Sequence, residues 1–342
     1  MLSIDSWWRG TRTHKTNGTV KTLPKTNFSI HRKEKEILLL LVVTVLCVIL
    51  LEAVFRFTHP LPEIHPYGWY PPENSSIFEF IHDHPGVDRN VTVTYYDNGF
   101  KRWGNPRTNK TKILVIGDSF TEMKFTNNGE EWYAQLEQAF PQTEFFVFGA
   151  GGYGTLQEYF IIFDYFDEIH PDIIIWQMYF NDFINDVFIF DRQEYPLNNH
   201  GYRPYLEEGT IVYRYPAPLS SLRGFATIST ALNWYDNRQW NALMQNSTKK
   251  DLFYHKIYGE RFWEKEFTES RIWQGRFSDA YDTSLAVVLK GKEKAGNTPI
   301  FLFSGDDKLE ASIEQLSEDA GLLFIPGISE ALNQQEALGI PV

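Results

Sequence analysis

Apolar residues follow three patterns along this chain, and each predicts a different element. The first is an unbroken run, Ile37-Leu-Leu-Leu-Leu-Val-Val-Thr-Val-Leu-Cys-Val-Ile-Leu-Leu51, fifteen residues without a charge between Glu36 and Glu52. Continued through Ala53-Val54-Phe55 it makes nineteen residues, close to the roughly 20 that a bilayer-spanning helix needs. Glu52 and Arg56 can reach toward the headgroups. The second pattern is alternation, in Val91-Thr-Val-Thr-Tyr-Tyr96, which reads as a strand and stops at the turn signal Asp97-Asn98-Gly99. The third is a succession of short apolar blocks separated by helical spacing. Lys112–Ile116 predicts a buried strand, Glu130–Phe140 a helix, Thr143–Phe148 a strand, Thr155–Phe166 a helix and Pro171–Tyr179 a strand. After a break come a helix at Thr283–Ala295, a strand at Pro299–Phe303, a helix at Ala311–Ala320 and a strand at Gly321–Ile325. Strand and helix in strict alternation predict an α/β fold with a doubly wound parallel sheet.

The break, residues 187–280, reads as an insertion: a hairpin over Tyr202–Tyr215 turning at Glu207-Glu208-Gly209, then aromatic-rich helical segments. Residues 57–90 are rich in Pro and His and read as a spacer without regular pattern. The chain therefore divides into a tail (1–35), a transmembrane anchor (36–56), a spacer (57–90) and an α/β domain (91–342).

Charge adds an orientation. The net charge of −12 conceals eight Lys/Arg against Asp5 and Glu34 in residues 1–35, leaving about −18 on the rest. Arg56 is the one Lys or Arg in the thirty residues after the apolar run, so the tail is expected in the cytoplasm and the body outside. A cleaved signal peptide is the rival, but its basic region would be unusually long and no small-x-small site follows Leu51. An acidic body argues against a nucleic-acid partner. Cys47, the single cysteine, lies in the apolar run, so the body has no disulfide framework, cysteine nucleophile or cysteine zinc site. His82 and His84 flank Asp83; without a second cluster they read as a solvated loop rather than a metal site.

The chemistry concentrates where strands end. Lys112-Ile-Leu-Val-Ile-Gly-Asp-Ser-Phe-Thr-Glu122 runs a buried strand into Gly117-Asp118-Ser119, the second strand breaks into Gly149-Ala-Gly-Gly-Tyr-Gly154, and the third delivers Asn181-Asp182. Parallel sheets bind ligands at these carboxyl ends. Ester cleavage needs a nucleophile and donors aimed at an oxyanion, which a serine, glycine N–H groups and an asparagine amide can supply. Asp118-Ser119 could instead cap a helix. The glycine loop could hold a phosphate, yet it follows the second strand, lacks G-x-G-x-x-G spacing and has no acidic ribose partner. The serine also lacks the G-x-S-x-G elbow of the α/β-hydrolases.

Gly117-Asp118-Ser119-Phe120, the glycine loop and Asn181-Asp182, in that order, resemble three sequence blocks of the SGNH (GDSL-type) hydrolase superfamily over roughly residues 91–342. Asn98-Gly-Phe-Lys-Arg102 and Glu131-Trp132…Gln135-Leu136 resemble a branch of membrane-anchored, exported members. The resemblance implies a three-layer α/β/α sandwich with a flavodoxin-like parallel sheet. It implies Ser119 as nucleophile, with its own N–H, Gly152 and Asn181 forming the oxyanion hole and Asp118 and Asp182 behind them. Gly152 is chosen by counting back from Tyr153-Gly154-Thr155; position 147, often asparagine in the family, is Val147.

The departure concerns the base. The family takes it from a D-x-x-H block beyond the last strand, and no histidine follows His255 before Val342. His170 precedes the third strand, at the wrong end of the sheet, and His200 or His255 would have to fold over Ser119 from the insertion. The expectation is that the sequence stops just short of that block, in which case activity would fall by on the order of 10⁴. The expected function is extracytoplasmic hydrolysis of carbohydrate or lipid O-acyl esters, without cofactor or metal. Acyl transfer to cell-surface glycans and non-catalytic glycan binding, if the chain ends at Val342, are the alternatives. No oligomerisation signal is present.

Overall fold

The computed structural model describes residues 32–58, 65–68, 76–81, 89–124, 126–194, 202–215, 222, 224–244 and 271–337. Most of the basic tail, the His82–His84 loop, His200, His255 and the last five residues lie outside them. Two compact units divide at Val54 and Phe55. The first holds, among the described residues, helix α1 (Arg32–Thr58) as far as Val54, and the helix's apolar side chains from Ile37 to Leu51 are exposed on every face. A helix apolar all round needs a core or a bilayer to cover it. This one is long and apolar enough to cross a membrane.

In the second unit β1 (Ser76–Ile81) pairs antiparallel with β2 (Arg89–Thr94), Ser76 opposite Thr94 and Ile81 opposite Arg89. The spacer reading of 57–90 missed β1. Ser-Ile-Phe-Glu-Phe-Ile has the β-branched and aromatic content of a strand, but flanking Pro and His residues obscured so short a segment. Then come β3 (Thr111–Gly117), the single turn α2 (Ser119–Glu122), α3 (Trp132–Ala139), β4 (Thr143–Gly149), α4 (Thr155–Ile169), β5 (Ile173–Gln177), α5 (Phe180–Asn185) and α6 (Phe188–Glu194). The hairpin β6 (Arg203–Glu207) and β7 (Thr210–Arg214) turns at Glu208 and Gly209, both with positive φ. After α7 (Ala226–Met244), α8 runs unbroken over Arg271–Ala295, so the insertion boundary placed near residue 280 falls inside a helix. The chain continues through β8 (Ile300–Phe303), α9 (Asp307–Ala320), β9 (Leu323–Phe324) and α10 (Ile328–Ala337).

The main sheet is parallel in the order β4-β3-β5-β8-β9. Along β3, β4, β5 and β8 alternate residues feed opposite faces. Leu114, Ile116, Phe146, Phe148, Ile174 and Trp176 pack with residues of α4 and α8; Ile113, Val115, Phe145 and Val147 pack against Tyr133 and Ala134 of α3. Helices on both faces explain why these strands read as continuous apolar runs. The chain enters the sheet at β3, crosses to β4 on one side and then to β5 on the other. That reversal leaves a crevice at the carboxyl ends of β3 and β5, where open α/β sheets bind ligands.

Candidate active site

Gly117 ends β3 because nothing larger fits. A Cβ there would lie 2.4 Å from Thr121 Oγ1 and 2.5 Å from Gln177 Oε1. Asp118 follows, fully buried, its carboxylate accepting from Phe120 N–H at 2.9 Å and so capping α2. Burial pushes this carboxyl up to about 6, against the opposing pull of the Phe120 N–H and the Asn181 and Gln177 amides. Its Oδ2 has no hydrogen-bond partner among the described residues. Ser119 is therefore held at the first position of α2 by a buried neighbour while remaining exposed itself. Among the described residues its hydroxyl makes no hydrogen bond. The capping reading and the nucleophile reading are compatible: Asp118 caps, and Ser119 faces out.

The glycine loop packs directly on α2. A Cβ on Gly149 would sit 2.2 Å from Glu122 N, and one on Gly151 would sit 3.8 Å from Ser119 Cβ. The loop's peptide groups are spent in a definite order. Gly151 N–H donates to Glu122 Oε2 at 2.8 Å. Tyr153 N–H donates to Ala150 O at 3.1 Å, and Gly152 O accepts from Asn185 Nδ2 at 2.8 Å and from Arg203 Nη2 at 2.7 Å. The peptides before and after the 151–152 bond are thus both fixed. Gly152 takes φ +74°, the left-handed region that favours glycine, and among the described residues its N–H donates to no protein acceptor.

Asn181 comes from α5, at the end of β5. Its amide Nδ2 donates to Tyr153 O at 2.9 Å and lies 3.4 Å from Asp182 Oδ1. Asp182 is buried and accepts from Tyr179 N–H at 2.5 Å. Burial, followed by the nearby carboxyls of Glu158 and Asp118, raises its pKa well above the ordinary range. Ser119, the glycine loop and Asn181 are thus joined at one sheet edge through Gly151 and Tyr153.

Sequence reasoning missed the residues that brace this edge. Glu122, 2% exposed, accepts from Tyr95 OH at 2.5 Å as well as from Gly151. Asp186, buried and pushed by that burial up to about 6, accepts from Leu156 N–H and Ser284 Oγ. Asn185, Arg203 and the Arg203 partner Asp191 are also buried. The available signal was a polar or charged residue set among apolar neighbours, as Arg203 is beside Tyr202, Pro204 and Tyr205: such a residue is rarely buried without a partner.

The described histidines are elsewhere. His170 caps the far end of α4 in a left-handed conformation (φ 49°), confirming its place at the opposite end of the sheet, and His65 lies beside Asp164. Among the described residues no cluster of His, Cys, Asp and Glu could hold a metal ion. A cleft of about 660 Å³ lies at Tyr95, Lys101, Arg102, Trp103, Glu131 and Tyr133, and Ser119, Gly152 and Asn181 do not line it.

No protein-family profile matches the chain, and no curated protein matches it. Among solved structures it is similar to AlinE4, an SGNH-hydrolase family esterase, at 15% identity over 68% of this chain and 83% of that one, with a TM-score of 0.34. It is also similar to a protein described as a GDSL-like lipase from Parabacteroides merdae, at 13% identity over 69% and 86% of the two chains, with a TM-score of 0.33.

Proposed function

We propose that this chain is a membrane-anchored serine esterase of the SGNH (GDSL-type) superfamily whose catalytic unit works outside the cytoplasm. One observation carries the reading. The peptides on both sides of the Gly151–Gly152 bond are hydrogen-bonded, and among the described residues the Gly152 N–H has no acceptor, in a loop packed beside an exposed Ser119. Donors fixed before the reaction stabilise a developing oxyanion without reorganising. In the proposed step Ser119 Oγ bonds to the ester carbonyl carbon and the carbonyl π pair moves to its oxygen. Gly152 N–H and the Asn181 amide receive that oxyanion. Collapse breaks the bond to the alkoxy group, which leaves as alcohol with the proton from Ser119. Water then releases the acyl group as acid and restores the serine. A general base carries these protons; His200 and His255 are the histidines of the insertion to substitute in seeking it. The anchor reading rests on the fifteen uncharged residues of α1 and the basic segment before them.

The test is hydrolysis of p-nitrophenyl acetate together with fluorophosphonate labelling, each with and without imidazole as an exogenous base. Ser119-dependent turnover and labelling are expected, strengthened by imidazole, and Ser119→Ala loses both. Asn181→Ala loses roughly 10²–10³ in kcat. Absence of any Ser119-dependent signal in both buffers overturns the reading.

A further inference from the structure

We infer that Arg203, carried by the insertion hairpin, is a positioning residue that sets the direction of the Gly152 N–H; the inference rests on the esterase reading and deepens it. Arg203 is fully buried on β6. Its Nη2 donates to Gly152 O at 2.7 Å and to Gln157 Oε1 at 2.6 Å, while Nη1 meets Asp191 Oδ1 only at 3.4 Å. The close contacts of this cation go to a neutral backbone carbonyl and a neutral amide. A hydrophobic side chain could fill the same volume without burying a charge, and such replacements of buried ion pairs are often neutral or stabilising. What only a guanidinium supplies here is several N–H donors fixed in one plane.

Those donors act on the loop at two points. Gln157 Oε1 also accepts from Gly154 N–H at 3.2 Å, so Arg203 braces Gly154 through Gln157 while it holds Gly152 directly. Asn185 Nδ2 holds the same Gly152 carbonyl from α5. Asp191, held in turn by Tyr205 OH at 2.5 Å, keeps the guanidinium on the loop side. Fixing the Gly152 carbonyl fixes its ψ. With Gly151 N–H tied to Glu122 at the other end, the intervening peptide loses its freedom to rotate. The insertion thus reaches the proposed oxyanion site through one side chain, without itself presenting a reacting group.

The test compares the intact chain with three variants: Asn185→Leu, Arg203→Lys, and Arg203→Met combined with Asp191→Leu so that no buried charge is left alone. Two readouts are taken, kcat and KM on a p-nitrophenyl ester, and amide hydrogen exchange of residues 149–154 against the strands β3 and β5. The double variant is expected to lose roughly 10- to 100-fold in kcat, the scale of a small misplacement, with KM within about twofold. Faster exchange should be confined to the loop. Arg203→Lys should fall between it and the parent, because one ammonium can donate to Gly152 O and Gln157 Oε1 but has no second nitrogen to face Asp191 and fix its plane. Asn185→Leu removes the other donor to Gly152 O with no charge involved, and should repeat the pattern even if the Arg203 variants do not fold. Parent-like kcat and loop exchange in folded variants overturn the inference. So does exchange that rises equally in loop and strands. If the parent shows no Ser119-dependent turnover the esterase reading fails instead, and the exchange data still decide whether Arg203 holds the loop.

Discussion

Glu122 Oε2 accepts the Gly151 N–H at 2.8 Å while its Oε1 accepts the Tyr95 hydroxyl at 2.5 Å, so one buried carboxylate ties the turn after β3 to the loop after β4. A glutamine can reproduce both contacts, since its oxygen accepts from Gly151 and a tyrosine hydroxyl can accept from its amide. Glu122→Gln should therefore stay within about 1 kcal/mol of the parent in urea unfolding. Glu122→Met removes the carboxylate that accepts from the Gly151 N–H and the Tyr95 hydroxyl and should cost about 2–5 kcal/mol.

Gly149 and Gly129 separate two reasons for glycine. Gly149→Ala places a Cβ 2.2 Å from Glu122 N and 2.5 Å from Thr121 C, backbone atoms that cannot move aside cheaply. It should prevent α2 from seating and abolish cooperative unfolding in urea. Gly129 has φ +93° but nothing within 4 Å of an added Cβ. Gly129→Ala should carry only conformational strain, about 1–2 kcal/mol, measurable as a shifted urea midpoint with an unchanged slope.

Stability should fall as pH rises from about 4 to 7. Asp118 and Asp186 are each raised from 3.8 to about 6 by burial. A carboxyl whose folded-state pKa lies above its unfolded value binds its proton more tightly when folded, so the folded state is favoured at low pH. That advantage declines as pH rises from the unfolded value through the folded one. For Asp118 the difference of about two pH units is worth on the order of 3 kcal/mol. Asp118→Asn, which keeps an oxygen for the Phe120 N–H, should gain stability relative to the parent between pH 4 and 7. Melting temperatures of the two proteins across that range check this; parallel curves would contradict it.

The α1 segment predicts a topology. Protease added to intact cells or spheroplasts should digest an epitope at residue 342 and spare one at residue 1. Protection in the opposite sense rules out the proposed orientation. Release of a soluble body would point to cleavage after the apolar run.

Some of this protein was legible one residue at a time. The apolar runs of β3, β4 and β5 needed no neighbour to identify them, because strands covered on both faces are apolar at every position. Their order of appearance, each followed by helical spacing, carried the α/β class, and Gly117, Gly149 and Asn181 marked where the strands end. The turn at Glu208-Gly209 could be read because few residues tolerate positive φ. What folding alone decided is which polar groups meet. Arg203 and Gly152 are 51 residues apart and Tyr95 and Glu122 are 27 apart; in the sequence Arg203, Tyr95 and Glu122 are ordinary charged or aromatic residues, with nothing beside them to say what they meet. No periodicity encodes a hydrogen bond between a side chain and a distant backbone carbonyl. The bond forms because the sheet brings the ends of β3, β4 and β5 together, and because a charge buried there has to find a partner.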